Sequence, residues 1–358
     1  MNFKPGCLAT GIGSTPHHDP EEAVRFVLSY FPEIPNWPQV PNRGSEEGFI
    51  NQFIAPLVKL GLVIEKDGKF FFDTHQEEWG VKLAGFYELF MAAMEGDEQA
   101  LDFFSFPELS ASGFYAFVRH IEKNGPGTAG YLKGQISGPL TIGLAMTDQD
   151  RRSIYYNPQG RDVLVKTLAL QGMIQAKTLG RFGIPVIVFV DDPGLYAPGQ
   201  SPYITLKKNE IIDELNSIYD AIRGQGAMTG THCCAGMDWS ILFESEVDIV
   251  SFDAFEYFVS VSSYTGELKK FVDRGGVLAW GIVPTSSENV AGETVESLRE
   301  RLESQIEYLV NKGFDRKVLL QQALITPSCG TGTLTMDTAA RVHELTGDLS
   351  RKLRGIKG

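Results

Sequence analysis

The feature that most restricts the fold is a repeating alternation. Short β-rich apolar runs are each followed by a loop rich in Gly, Pro, Ser or Asp and then by a helical pattern. Candidate strands occupy residues 8–13, 130–136, 185–191, 227–232, 248–252, 277–283 and 319–325. Between them lie amphipathic stretches such as 160–182, 208–223 and 294–312, the last with Leu298, Leu302, Ile306 and Leu309 at helical spacing. Parallel strands alternating with helices suit a closed barrel or an open doubly wound sheet. No phosphate-type glycine fingerprint follows the first strand, which favours an α/β fold of the (β/α)8 TIM barrel type, with the eighth strand unplaced.

One segment breaks the rhythm. Residues 31–52 are rich in Pro and Asn, and 62–72 read as a hairpin with turn chemistry at Lys66-Asp67-Gly68. Residues 74–123 are mainly helical and aromatic. Together they predict a helical and hairpin excursion at about 31–123, after the first strand of a single barrel domain spanning 1–358.

The formal charge of -13 and pI near 5.0 argue against nucleic acid or an anionic membrane as partner, because phosphates are repelled at long range. The longest dense apolar run, 184–190, is far too short to span a bilayer, and residues 1–6 lack the apolar core of a secretory signal, so a cytoplasmic protein is expected. Cys7, Cys233, Cys234 and Cys329 are too few and too unevenly spaced for a disulfide framework. Reduced thiols, available as metal ligands, are the expectation.

The sharpest local pattern is Thr231-His232-Cys233-Cys234-Ala235-Gly236, where a strand runs out into a loop. In extended chain, residues i and i+2 face the same way, so His232 and Cys234 converge while Cys233 points oppositely. Imidazole and thiolate suit tetrahedral zinc, and further ligands must come from other strand ends. Asp253 and Cys329 sit at two such ends, and barrel enzymes assemble their sites at that C-terminal face. The same residues also suit plain packing, with the cysteines as small buried hydrophobes and His232 as a core histidine.

His232-x-Cys234, the run Asp248-Ile249-Val250-Ser251-Phe252-Asp253 and Pro327-Ser328-Cys329-Gly330 resemble, in order and spacing, the zinc-binding segments of cobalamin-independent methionine synthase. Ile12-Gly13-Ser14 resembles that family's loop for the amino-acid carboxylate. Val190-Asp191-Asp192-Pro193 resembles its segment for the substrate amine, and Gly138-Pro139-Leu140-Thr141 a further shared segment. The resemblance spans nearly the whole chain. It implies zinc on His232, Cys234, Cys329 and Asp253, with Ile12, Gly13, Ser14, Asp191 and Asp192 around the substrate. Independently of the family, a Gly-Ser turn offers N–H groups and a hydroxyl to a carboxylate, and an ionised Asp can pair with an ammonium. His17 and His18 lie close behind the loop, Glu46 and Glu47 are candidates for a second amine contact, and Trp37 for the entrance.

By resemblance the reaction is methylation of a small thiol, homocysteine, giving methionine, with no catalytic side chain beyond the zinc centre. Three departures bear on the donor and the metal. Asp253 stands where the family usually has Glu; Val283 stands where it has a His acid; and 358 residues leave no room for the extra N-terminal barrel that contributes to folate binding. A methylfolate nitrogen leaves more easily when protonated, whereas methyl-cobalt leaves without a proton. The expected donor is therefore a methylcorrinoid on a partner protein. The rival readings are methyl transfer to another thiol such as coenzyme M, a metal-free uroporphyrinogen decarboxylase-like enzyme, and a non-enzymatic zinc- or thiol-binding barrel.

Overall fold

The computed structural model describes residues 3–356. Seven strands lie parallel in one curled sheet: β1 (Leu8–Ala9), β4 (Leu132–Ser137), β5 (Val186–Asp191), β6 (Met228–Cys233), β7 (Ile249–Phe252), β8 (Val277–Val283) and β9 (Ala323–Pro327), in the order β1-β9-β8-β7-β6-β5-β4. Helices return the chain between them, including Pro158–Gly180, Lys208–Arg223, Val295–Val310 and Met336–Leu353. Among the described residues no helix is long and apolar enough to cross a membrane.

The eighth stave lies inside the segment assigned above to the excursion. Asn36 bridges to Lys133 of β4 and Gln39 to Ser14 beyond β1, both in parallel sense. Trp37 N donates to Lys133 O at 3.1 Å and Gln39 N to Gly13 O at 3.1 Å, while Lys133 N donates to Pro35 O at 2.9 Å. Proline at 35, 38 and 41 removes donors from this stretch, so pairing survives only at isolated positions and the run carries no strand signature. It nevertheless joins the two free edges of the sheet and completes a (β/α)8 barrel.

A helix side chain completes the ladder at this weak seam. Gln175, from Pro158–Gly180, accepts from Gln135 N at 3.1 Å and donates to Gln135 O at 2.8 Å, as a neighbouring strand would. Its Oε1 also accepts from Trp37 Nε1 at 2.9 Å, which places Trp37 fully in the core and not at the entrance. Gly134 is required beneath it, because a Cβ there would strike the Gln175 amide. Gln175→Leu strands three buried polar groups and should lower unfolding free energy by about 3 kcal/mol or more, read from urea denaturation.

The excursion after this stave contains the helix Asn51–Lys59, the hairpin β2 (Val63–Lys66) and β3 (Lys69–Phe72), and the helices Trp79–Met94, Glu98–Phe104 and Ser112–Asn124. Asp67 and Gly68 both take positive φ, 52° and 72°, the type I′ geometry a two-residue hairpin favours. At the other end of the chain, β9 starts later than residue 319. Asp315 caps the short helix Arg316–Gln321 by accepting from Val318 N at 3.0 Å, so Leu319 is helical.

The strands alternate between two apolar environments. Ile187 and Phe189 of β5, Met228 of β6, Ile249 of β7 and Leu324 of β9 fill the lower barrel, while Val188, Val190, Val250 and Ile325 pack under the helices. Higher up, the interior positions turn polar: Lys133 and Gln135 on β4, Asp191 on β5, His232 on β6, Ser251 on β7 and Thr326 on β9, all buried. This change of chemistry, near the strand C-termini, marks the functional end of the barrel.

Candidate metal centre and substrate pocket

His232 follows Met228 and Gly230 on the interior face of β6, and Cys234 lies just beyond the strand end. Cys233, of opposite parity, is fully buried in the outer core, where burial pushes its thiol up to about 12. Cys329 follows β9. One ligand atom each from His232, Cys234 and Cys329 lie within 4.8 Å of one another, and the two sulfurs are 3.5 Å apart. His232 Nδ1 meets Ser251 Oγ at 3.0 Å, while its buried Nε2 has no partner. With Nδ1 engaged, Nε2 is the atom left to bind an ion, and the serine fixes the ring as outer-shell partners of metal histidines do.

The contact between the two thiols, and then His232, pulls the Cys329 thiol well below its usual range, and the same contact drives Cys234 upward. One imidazole and two close sulfurs form a soft donor set that fits zinc, with a fourth position open.

Asp253 is not part of this cluster. Its Oδ1 accepts from Phe255 N and Glu256 N, each at 2.9 Å, and caps the turn after β7. The side chain is thus spent on its own loop and lies outside the group that could hold an ion, which corrects its expected place among the ligands. Burial pushes its carboxyl up to about 6.

Asp192 is likewise redirected. Its oxygens accept from Leu140 N at 3.1 Å, Thr141 N at 2.8 Å and Thr141 Oγ1 at 2.5 Å, at the start of the helix Pro139–Ala145. It ties the end of β5 to that helix and is not among the residues lining the pocket. Gly138 leaves the room, since a Cβ there would overlap the Asp192 side chain.

Asp191 does face the site. With Ile12, Ser14, Glu47, His232, Cys234 and Cys329 it lines a cavity of about 360 Å³, small among ligand pockets. Its Oδ1 is buried without a hydrogen-bond partner, and burial pushes its carboxyl up to about 6, against the opposing pull of Lys133. Ser14 holds the loop of the third ligand in place. Its carbonyl accepts from Thr331 N at 2.9 Å and its Oγ from Gly332 N at 3.1 Å. Gly13 lies beneath the Gln39 and Gln135 amides, where a Cβ would collide with Gln39 Oε1.

Of the paired candidates behind the loop, Glu47 belongs to the pocket and Glu46 is exposed. Glu47 Oε1 accepts from Ser112 N at 3.1 Å and faces Arg43 Nε at 3.5 Å; burial raises its pKa. His18 is exposed. His17 is buried against Phe26, away from the pocket, with ring centroids 4.8 Å apart. Phe26 also packs on His343, which is wholly buried, bonded through Nδ1 to Ala339 O at 2.8 Å, and pushed by burial down to about 4. The unfolded chain therefore takes up this proton first, and stability falls as pH drops from 6.5 towards 4, by about 3 kcal/mol in full. His343→Asn should lose this acid limb, read as a smaller stability difference between pH 7 and pH 4.5.

No family model and no curated protein matches the chain. Among solved structures, the tandem GH20 catalytic modules of a pneumococcal exo-β-D-N-acetylglucosaminidase align over 98% of this chain and 86% of their own, at 9% identity and TM-score 0.46. A xylose isomerase-like TIM barrel protein from Mycobacterium smegmatis, in complex with magnesium, aligns over 82% and 95% at 13% identity and TM-score 0.35. A GH5 lichenase from Caldicellulosiruptor sp. F32 aligns over 92% and 95% at 13% identity and TM-score 0.37.

Several of those residues escaped the sequence reading. Lys133 and Gln135 alternate with apolar residues on β4, so the period-2 pattern Leu132-Lys133-Gly134-Gln135-Ile136-Ser137 carried the signal of a polar interior face. Ser251 stands in register with His232 on the neighbouring strand, a relation visible only once β6 and β7 are paired.

Proposed function

We propose that the chain is a zinc-dependent S-methyltransferase whose acceptor is homocysteine, bound as in the cobalamin-independent methionine synthases it resembles but methylated from a different donor. The observation that carries the reading is the meeting of His232, Cys234 and Cys329 in one small cavity with the unpaired carboxylate of Asp191. Three protein ligands and an adjoining cavity make an open site, unlike a closed structural one, which favours catalysis over storage. When bound there, zinc supplies the Lewis acidity that keeps a substrate thiol ionised near neutral pH.

The chain's own groups do the rest. Asp191, ionised above about pH 6, pairs with the substrate ammonium, and the Ile12-Gly13-Ser14 loop receives its carboxylate. Gln39 and Glu47 close the remaining wall. Coenzyme M has no ammonium, so Asp191 favours the amino acid over that rival. A tetrapyrrole decarboxylase needs several cations for its substrate's carboxylates, and no Lys or Arg lines this cavity among the described residues.

For the donor, Val283 is buried at the end of β8, and a valine cannot protonate a leaving nitrogen. This supports a methylcorrinoid, carried by a partner protein, over methylfolate. The test is methyl transfer by zinc-loaded protein to homocysteine and to coenzyme M, from methylcobalamin and from methyltetrahydrofolate. Methionine formed from methylcobalamin is expected; efficient use of methyltetrahydrofolate overturns the donor, and preference for coenzyme M overturns the acceptor.

A further inference from the structure

Lys133 is an ammonium placed where a barrel seldom tolerates one. It is fully buried on the interior face of β4, and burial pulls its pKa down to about 8, so it still carries its charge at neutral pH. Nζ donates to Ile12 O at 2.6 Å, approaches Gln135 Oε1 at 3.5 Å and lies 4.4 Å from the centroid of the Phe189 ring. Asp191 supplies an opposing charge that favours the ammonium, without a direct ion pair between the two. A buried cation without close compensation is costly, and packing alone would be served better by an apolar residue.

Its contacts join the two halves of the pocket. The Ile12 carbonyl belongs to the loop that continues through Gly13 to Ser14. Ser14 in turn holds Thr331 and Gly332, two and three residues after Cys329. We propose that Lys133 is the positioning residue of the pocket, a buried cation that anchors the Ile12-Gly13-Ser14 loop on one side and compensates the Asp191 carboxylate on the other. It does not line the cavity, so it acts through these groups and not on substrate. The inference rests on the reading of Asp191 as the ammonium partner for its substrate readout only; anchoring of the loop is independent of that reading.

The experiment compares wild type, Lys133→Met, Asp191→Asn and the double variant, each zinc-loaded. Calorimetric titration uses homocysteine and 4-mercaptobutyrate, the same thiol acid without its amine. Hydrogen exchange is followed at the amides of Thr15, Thr331 and Gly332. Lys133→Met keeps the volume and should fold; if it does not, Lys133→Gln serves the same comparison.

The expected result is at least tenfold weaker homocysteine binding in Lys133→Met, a clearly smaller loss for 4-mercaptobutyrate, which meets only the loosened loop, unchanged zinc content and at least tenfold faster exchange at the three amides. The double variant should bind homocysteine less weakly than the two single losses combined predict, because part of the lysine's effect passes through that carboxylate. Unchanged homocysteine affinity, or equal loss of both thiols, overturns the role through Asp191, and unchanged exchange overturns the anchor. A wild type that binds zinc but neither thiol refutes the proposed acceptor, and the exchange rates then decide the Lys133 inference alone.

Discussion

Cys329→Ser should empty the metal site while leaving the barrel folded. A serine hydroxyl is a much poorer zinc ligand than a thiolate, and only His232 and Cys234 remain. Zinc affinity should fall by about 100-fold or more, beyond the 10–100-fold typical of losing an outer-shell partner. Metal analysis after dialysis against a chelator should find about one zinc per wild-type chain and almost none in the variant, with methyl transfer lost in step. Ser251→Ala is the graded counterpart: it removes the hydrogen bond to His232 Nδ1 and should weaken zinc by about 10–100-fold. Cys233→Ser should keep the metal, since that thiol is buried in the outer core. Full zinc retention in Cys329→Ser would refute the ligand set.

Asp191→Asn should strike the acceptor and spare the metal. A charge-assisted hydrogen bond contributes about 1.5–3 kcal/mol, so the KM for homocysteine should rise roughly 10- to 150-fold. The amine-free thiol acid should be used almost as before, and zinc content should not change. The pH dependence has a definite sign. Because burial raises the Asp191 carboxyl to about 6, the group becomes neutral as pH falls through 6. The wild-type KM for homocysteine should therefore climb below pH 6, while the ratio of variant to wild type shrinks. A variant that loses both thiols equally would show that Asp191 does not act on the amine.

The legible parts of this protein were those written in local pattern. The helix Lys208–Arg223 is delimited in the sequence by its own periodicity, and the hairpin by Asp67-Gly68 between two apolar runs. His232 and Cys234 share a face because extended chain alternates, and that alternation also sends Cys233 into the outer core. The residues misassigned were those with two plausible uses. Asp192 and Asp253 both sit at strand ends, as site acids do, but both are taken by nearby N–H groups. Nothing in an isolated strand end says whether a free amide lies within reach.

The eighth stave and Trp37 were hidden for a different reason. A proline-rich stretch has no strand propensity of its own, and residues 36–39 pair because β1 and β4 present two open edges on either side. The sequence by itself determined the alternation of strands and helices, the pairing of His232 with Cys234, and the positions of the strand ends that could supply further ligands. Only the tertiary structure decided which strand ends converge, that Cys329 completes the cluster and Asp253 does not, and that Lys133 and Asp191 are both buried inside the barrel. The physical reason is range. Backbone period and turn chemistry act over a few residues, whereas barrel closure brings Cys329 to within 3.5 Å of Cys234 across 95 positions of chain.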